Sequence, residues 1–329
     1  MNQTKAEKGN VRSTGNMLLR KLAESGLILF IILLALFFTI KSEHFLSIKN
    51  FLNIFQAVSV LGITAAGMMM IIVSGGIDLS AGSTIAFIGC VQTEIVVRLG
   101  VPWYLGILLG LAIGMLCGLF NGFIVTYWKY QPFIATLGTM NVIRGLAYVI
   151  SSGQSTFLDS KPLEWFGLGR MFGVIPVPVV LLLISFLVVW FIMHYTVFGR
   201  YVYSIGGNQE AARLAGIPVK LYTMLLYVGT GFLAAVSGLV LLGLSGSSVP
   251  SAGENYGMDI VTAVILGGAS LNGGKGSIVL TFLGVLTIGI MNNGMTLISV
   301  PQYWQIFAKG ALLIFAVGLD QIKERVSAS

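Results

Sequence analysis

Long apolar runs alternate with short polar connections along nearly the whole chain, and ten can be drawn, at 25–40, 51–73, 84–97, 103–126, 133–152, 177–195, 221–244, 260–269, 278–298 and 303–319. A helix needs about 20 largely apolar residues to cross the hydrocarbon layer of a membrane. The pattern therefore predicts an all-α polytopic membrane protein of about ten transmembrane helices. It organises the chain as one membrane domain over 25–319, with a polar extension at 1–24 and a short tail at 320–329.

The eighth run breaks the rule. It holds only about ten apolar residues, too few to span alone, before GGASLNGGKGS at 267–277. Irregular backbone at membrane depth is tolerated only when it is buried in protein or lines a wet cavity. A broken or re-entrant helix is expected there, and another near GGIDLSAGS at 75–83, after the second run. Aligned with a gap, IIVSGGIDLSAGS and VILGGASLNGGKGS read either as a weak internal repeat, of the kind that flanks the path in many transporters, or as a chance likeness of glycine turns.

The fourth run carries a different device. Gly106, Gly110, Gly114, Gly118 and Gly122 recur at every fourth position. Glycine in a water-exposed helix costs about 1 kcal/mol relative to alanine, whereas in a bilayer such a ridge lets another helix approach backbone to backbone. The residues between are Leu, Ile, Met and Phe, which excludes a flexible linker.

Composition removes the alternatives. Of 329 residues, 56% are hydrophobic and 9% charged, and the mean hydropathy is +0.91, which leaves no room for a soluble catalytic domain. Cys90 and Cys117 both sit in apolar runs, so neither a disulfide framework nor a cysteine-rich zinc site is expected. His44 and His194 lie far apart and read as interfacial or loop residues. The basic start could pass for a secretory signal, but no small-residue cleavage pattern follows its first apolar run, which is expected to remain as a helix, with Glu24 and Lys41 snorkelling to the interfaces.

Charge sets the orientation, because Lys and Arg collect on the cytoplasmic side. With the amino terminus inside, twelve fall on inner segments (Lys5, Lys8, Arg12, Arg20, Lys21, Lys129, Arg200, Arg213, Lys220, Lys275, Lys323 and Arg325) and five outside (Lys41, Lys49, Arg98, Lys161 and Arg170). Both termini are expected in the cytoplasm, with the extension and the tail. A re-entrant eighth segment would remove one crossing and put Lys323 and Arg325 outside, against this rule. The formal charge of +7 is explained by orientation and points to a membrane lipid environment, not to nucleic acid.

Two polar stretches invite chemistry. GGASLNGGKGS resembles a phosphate-binding loop but fails it twice: Gly268 lies one residue too far from Gly274, and Gly276 stands where a hydroxyl must hold magnesium. No nucleotide, metal or other cofactor is expected on this chain. The loop at 198–220 instead predicts a short helix, with Asn208 as N-cap, Glu210 complementing the positive end of the dipole, and Gly216 with Pro218 stopping it. It reads as a knob for a soluble partner or as a plain connector lying on the membrane.

Inside the membrane a charge costs roughly 2.5–3.5 kcal/mol on insertion scales, so each one asks for a reason. Glu94 and Arg98, four apart, are expected to pair; Lys309 reaches a carbonyl or an interface; Asp78 and Arg144 are pathway candidates. Amide and aromatic groups that could meet a solute are Asn121, Gln131, Phe133, Asn141, Asn292, Asn293 and Trp304, and any of them could equally bond another helix. Asn292 and Asn293 are adjacent, so at most one faces a lumen.

Four stretches in order, GGIDLSAGS, QPFIATLGTMNVIRGLAYVISSGQ, YSIGGNQEAARLAGI and AVILGGASLNGGKGS, make the chain similar to the membrane permeases of bacterial ABC importers for monosaccharides, of the ribose, xylose and arabinose type. The likeness runs from about Phe45 to Asp320; it departs at Ala81, where that family commonly has valine, and leaves the amino-terminal extension unmatched. The resemblance implies a multi-pass inner-membrane subunit paired with an identical or paralogous permease. It implies two cytoplasmic ATPase subunits that bind the ATP and magnesium, and sugar delivered by an extracytoplasmic binding protein. It makes the loop at 207–217 a coupling helix with Asn208, Glu210, Ala211 and Arg213 facing the ATPase, and the chain itself no enzyme. An ion-coupled secondary transporter is the alternative, disfavoured because no cluster of buried carboxylates appears. A membrane-bound enzyme ranks lower, since the histidines cannot supply a convergent site.

Overall fold

The computed structural model describes residues 26–328, with side chains through Gly318. The expected extension at 1–24, with Lys5, Lys8, Arg12, Arg20, Lys21 and Glu24, lies outside the described residues, as do the side chains of Lys323 and Arg325. Thirteen helices are described: α1 (Gly26–Lys41), α2 (Ile48–Val73), α3 (Ala81–Gln92, extended by a π-helical turn at Thr93–Arg98), α4 (Trp103–Tyr127), α5 (Pro132–Ser151), α6 (Lys161–Leu168), α7 (Val177–Tyr195), α8 (Val197–Gly207), α9 (Gln209–Leu214), α10 (Val219–Ser245), α11 (Tyr256–Leu266), α12 (Ile278–Leu297) and α13 (Gln302–Ala328). Six of them, α2, α4, α5, α7, α10 and α12, are long and apolar enough to cross a membrane. The four other expected spans coincide with α1, α3 with its π turn, α11 and α13, and α13 runs on through the expected tail.

Local chemistry sets many of the ends. Ser47 caps α2 by accepting from the Asn50 amide at 3.2 Å, proline opens α5 and α7, and Gly246 closes α10 in the left-handed region at φ 62°. The core forms around α2, buried on every side in its second half, with α10, α11, α12 and α7 against it. Outward faces of α1, α5, α7 and α13 carry exposed Leu, Ile, Phe and Tyr, as a lipid environment allows.

The glycine ridge of α4 serves two neighbours. A methyl group on Gly114 would stand 2.6 Å from the Gly231 carbonyl oxygen of α10, one on Gly118 would meet the Tyr227 carbonyl, and one on Gly122 would stand 3.0 Å from the Met224 Cα. Gly106 and Gly110 instead receive the Val96 and Gln92 side chains that follow from α3. Gln92 Nε2 donates to the Gly106 carbonyl at 2.7 Å. The expected Glu94–Arg98 pair forms at 3.0 Å.

Two helices begin inside the bundle. α2 ends beside α8, where the Val73 carbonyl accepts from the Gly274 amide at 2.8 Å, and residues 74–80 then turn back inward before α3 starts. At the opposite end, α10 stops at Ser245, and two-residue strands pair Thr156–Phe157 (β1) with Ser247–Ser248 (β4); Arg170–Met171 (β2) and Ile175–Pro176 (β3) form a second small ribbon nearby. From there residues 248–255 descend along α3, with Ser248 Oγ 2.8 Å from Thr93 Oγ1 and Gly253 and Gly257 meeting Gly82. α11 continues to the α9 end. The eighth segment thus joins a run of turns at 249–255 to the short helix α11, so its irregular part precedes the apolar run and the break expected at 267–277 does not lie there. Residues 267–277 form the turn from α11 into α12, whereas 75–83 enters the core, so the two glycine stretches play different parts.

Candidate functional site

α9 is a short helix with an exposed polar face at its end of the bundle. Asn208 is extended (φ −162°) and its Oδ1 accepts from the Ala211 amide at 2.9 Å, while Gly216 takes φ 83° to end the turn, so N-cap and stop fall where expected. Beneath the helix Ala212 packs with Ile205 and Val219. Gln209, Glu210, Ala211, Arg213 and Leu214 face outward. Arg213 grips Glu210 with two hydrogen bonds, Nη2 to Oε1 at 2.6 Å and Nε to Oε2 at 3.1 Å. That fork holds the Glu210 carboxyl below its ordinary range and raises the Arg213 guanidinium. The result is a short tip on which Leu214 stands 77% exposed beside the ion pair.

The tip is connected inward through α8. Gly206 lies against the Val73 carbonyl and the Gly274 amide, and Gly273 against Gly206, contacts that leave no room for a side chain. α8 therefore touches both the end of α2 and the turn after α11.

Asp78 and Asn121, both pathway candidates, meet at the first of these breaks. Asp78 Oδ1 accepts from the Ser80 amide at 2.9 Å, from Ser80 Oγ at 2.7 Å and from Asn121 Nδ2 at 3.3 Å. Tyr227 Oη and Thr136 Oγ1 donate to the Ile77 carbonyl at 3.1 and 3.4 Å. Asp78 is 2% and Asn121 1% exposed. These groups hold the inward turn together and do not line an open path in this conformation.

Arg144 holds the second break. Its Nη1 donates to the Pro250 and Ala252 carbonyls at 2.6 and 2.7 Å, fixing the descending segment to α5. Gln131 and Phe133 lie apart from these groups, exposed at the start of α5. Asn293 exchanges two hydrogen bonds with Asn50, at 2.8 and 2.9 Å, while Asn292 turns to a polar cavity between α11, α12 and α13; the adjacent pair points two ways, as their spacing requires. Lys309 reaches neither a carbonyl nor an interface but Asp259 Oδ2, at 2.7 Å. Sequence reasoning missed Asp259 because it precedes the drawn eighth run; it stands in the first turn of α11, and an acidic group beside a short apolar run was the available signal.

A profile of the family described as branched-chain amino acid transport system / permease component matches residues 50–317. A ribose import permease protein of Escherichia coli strain K12 is 40% identical over 92% of this chain and 94% of its own. One from Bacillus subtilis strain 168 is 40% identical over 91% and 92%, and an L-arabinose transport system permease protein of Escherichia coli strain K12 is 34% identical over 86% and 85%. No solved structure matches the chain.

Proposed function

The chain belongs to the branched-chain amino acid transport system / permease component family, and from that membership we propose that it is the membrane-spanning permease subunit of an ABC importer that carries a monosaccharide across the bacterial inner membrane. The family description names amino acids. The three relatives reported above are named for sugars and match over most of their length, which favours a sugar.

The observation that carries the reading is the α9 tip and its inward connection. Two cytoplasmic ATPase subunits would each receive such a tip, with Asn208, Glu210, Ala211 and Arg213 against them, and would bind the ATP and magnesium that this chain has no loop to hold. A second permease, identical or paralogous, would complete the pathway, and an extracytoplasmic binding protein would deliver the sugar at the β1–β4 end. In this reading the α9 end is cytoplasmic, the chain crosses ten times, counting α1, α3, α11 and α13, and both termini lie inside. A conformational change needs a partner that distinguishes the two states. The ATPase supplies that bias through α8, which touches the chain leading into α3 and the turn leaving α11.

The test is monosaccharide uptake and ATP turnover in vesicles holding the chain with its ATPase and binding protein. Glu210→Ala and Arg213→Ala are expected to insert normally, hydrolyse ATP and lose uptake. Uptake that proceeds without the ATPase and follows an ion gradient would instead establish a secondary transporter.

A further inference from the structure

The cavity between α11, α12 and α13 departs from the character of the chain. It measures about 380 Å³, at the small end of the roughly 300–1,000 Å³ of small-molecule sites. Its walls are polar although the surrounding helices are apolar. Gln302, Gln305, Ile306 and Lys309 follow one another at helical spacing along one face of α13. Asn292 enters from α12, and Asn255 and Asp259 from the start of α11. Lys309 lies seven residues into α13, about 10 Å along its axis, so the cavity reaches from the β1–β4 end down to the break that opens α11.

Its chemistry selects a class of occupant. Three neutral amides, Asn255, Asn292 and Gln302, can each donate and accept, Gln305, whose Nε2 donates to the Val300 carbonyl at 3.0 Å, adds its carbonyl oxygen, and hydroxyl groups, which also do both, are their natural complement. The one cation of the lining, Lys309, is already engaged by Asp259 at 2.7 Å, which disfavours a free anion, and the remaining carboxylate, Glu254, is an acceptor that hydroxyl groups can serve. Asn292 Oδ1 is buried and has no hydrogen-bond partner, and a buried acceptor left unpaired is costly. It calls for a donor from something within the cavity. A branched-chain amino acid would lay its aliphatic part largely against these polar groups, with Ile306 and the Tyr256 ring to receive it.

We propose that this cavity is a sugar-binding site in the permease itself, taking a neutral polyhydroxylated molecule of monosaccharide size as it leaves the binding protein, an inference that rests on the importer reading above. Asn292 accepts from a hydroxyl at its floor, and Gln302 and Gln305 contact the molecule at its mouth. The permease then exerts selectivity of its own, in addition to that of the protein that delivers the sugar.

The experiment is competitive import of D-ribose, L-arabinose, D-fructose and L-leucine by the complete transporter in proteoliposomes, comparing wild type, Asn292→Leu and Gln302→Ala, with ATP hydrolysis recorded alongside. Wild type is expected to import a monosaccharide and not leucine. Asn292→Leu is expected to lower that import about tenfold, through loss of one buried acceptor, and both variants to alter the ratio between sugars while ATP hydrolysis stays within about twofold of wild type. If Asn292→Leu does not reach the membrane, Gln302→Ala, at the exposed mouth, carries the test. Sugar ratios and rates unchanged in the variants, beside a wild type that imports sugar, would overturn the site and leave the importer reading standing. A wild type that imports only leucine would overturn both.

Discussion

Removing Lys309 should damage the fold more than removing Lys309 and Asp259 together. Their atoms stand 2.7 Å apart, and the two side chains are 18% and 8% exposed, so each charge has given up most of its water for the other. Taking away one partner of a buried pair costs about 3–5 kcal/mol, because the survivor is left uncompensated, while replacing both with apolar groups of similar volume is often neutral or stabilising. Lys309 borders the polar cavity, which retains some solvation and puts the expected value at the lower end, about 3 kcal/mol. Lys309→Met should therefore lower the free energy of unfolding by roughly that much, Asp259→Leu by a similar amount, and the double variant should return to within about 1 kcal/mol of wild type. Unfolding of the purified protein in mixed detergent micelles, followed by tryptophan fluorescence, measures all three. The reasoning is refuted if Lys309→Met unfolds like wild type, or if the double variant loses the sum of the two single losses.

The glycine ridge makes a paired prediction: Gly118→Ala, whose new methyl group would meet the Tyr227 backbone, should cost about 1–3 kcal/mol as overpacking, whereas Gly138→Ala, which meets nothing within 4 Å, should be neutral or slightly stabilising in the same unfolding assay. Arg144→Met strips a charged donor from two carbonyls and should free residues 250–252 from α5, seen as faster hydrogen exchange at the start of α11 with the rest of the fold unchanged. At α9 the pH dependence has a definite sign. A carboxyl held below its ordinary 4.5 binds fewer protons in the folded helix than when unfolded, so its pairing favours the helix above that value and is lost as pH falls through the lowered one. The Glu210–Arg213 pair should accordingly persist at about pH 5, and ATP-driven uptake should show the same ratio of wild type to Glu210→Gln there as at neutral pH; a ratio that collapses toward one at the lower pH would contradict it.

What was legible in the sequence was what neighbouring residues decide. Asn208, Glu210, Gly216 and Pro218 specify α9 within a dozen positions, and the helix appears with the cap and stop they dictate; Glu94 and Arg98 need only helical spacing to meet. The glycine ridge was legible as a contact but not as a contact with two helices, because nothing local distinguishes Gly106 and Gly110, which receive side chains, from Gly114 and Gly118, which receive backbone. The roles of Asp78, Asn121 and Arg144 were hidden for the same reason. Intramembrane polarity marked them as unusual without saying whether they face a solute or hold the chain, and that depends on partners as remote as Pro250 is from Arg144.

Their structural use carries a functional consequence. Irregular backbone inside the bundle leaves groups that must be satisfied by protein, and Asp78 with Ser80 and Tyr227 at one break, and Arg144 at the other, supply those bonds. Such bonds can be exchanged at little cost for others of the same kind, unlike the methyl-sized interlocking of α4 on α10. The two inset helix starts are therefore the places where this bundle can change conformation without unpacking its core. They meet one another at Gly82 and Gly257, and α8 touches the chain leading into the first and out of the second. In the proposed coupling a push on α9 would act on the chain entering α3 and on the turn leaving α11, and would reach the second break through α11 and the Gly82–Gly257 contact, and with it the wall of the cavity that Asp259 lines.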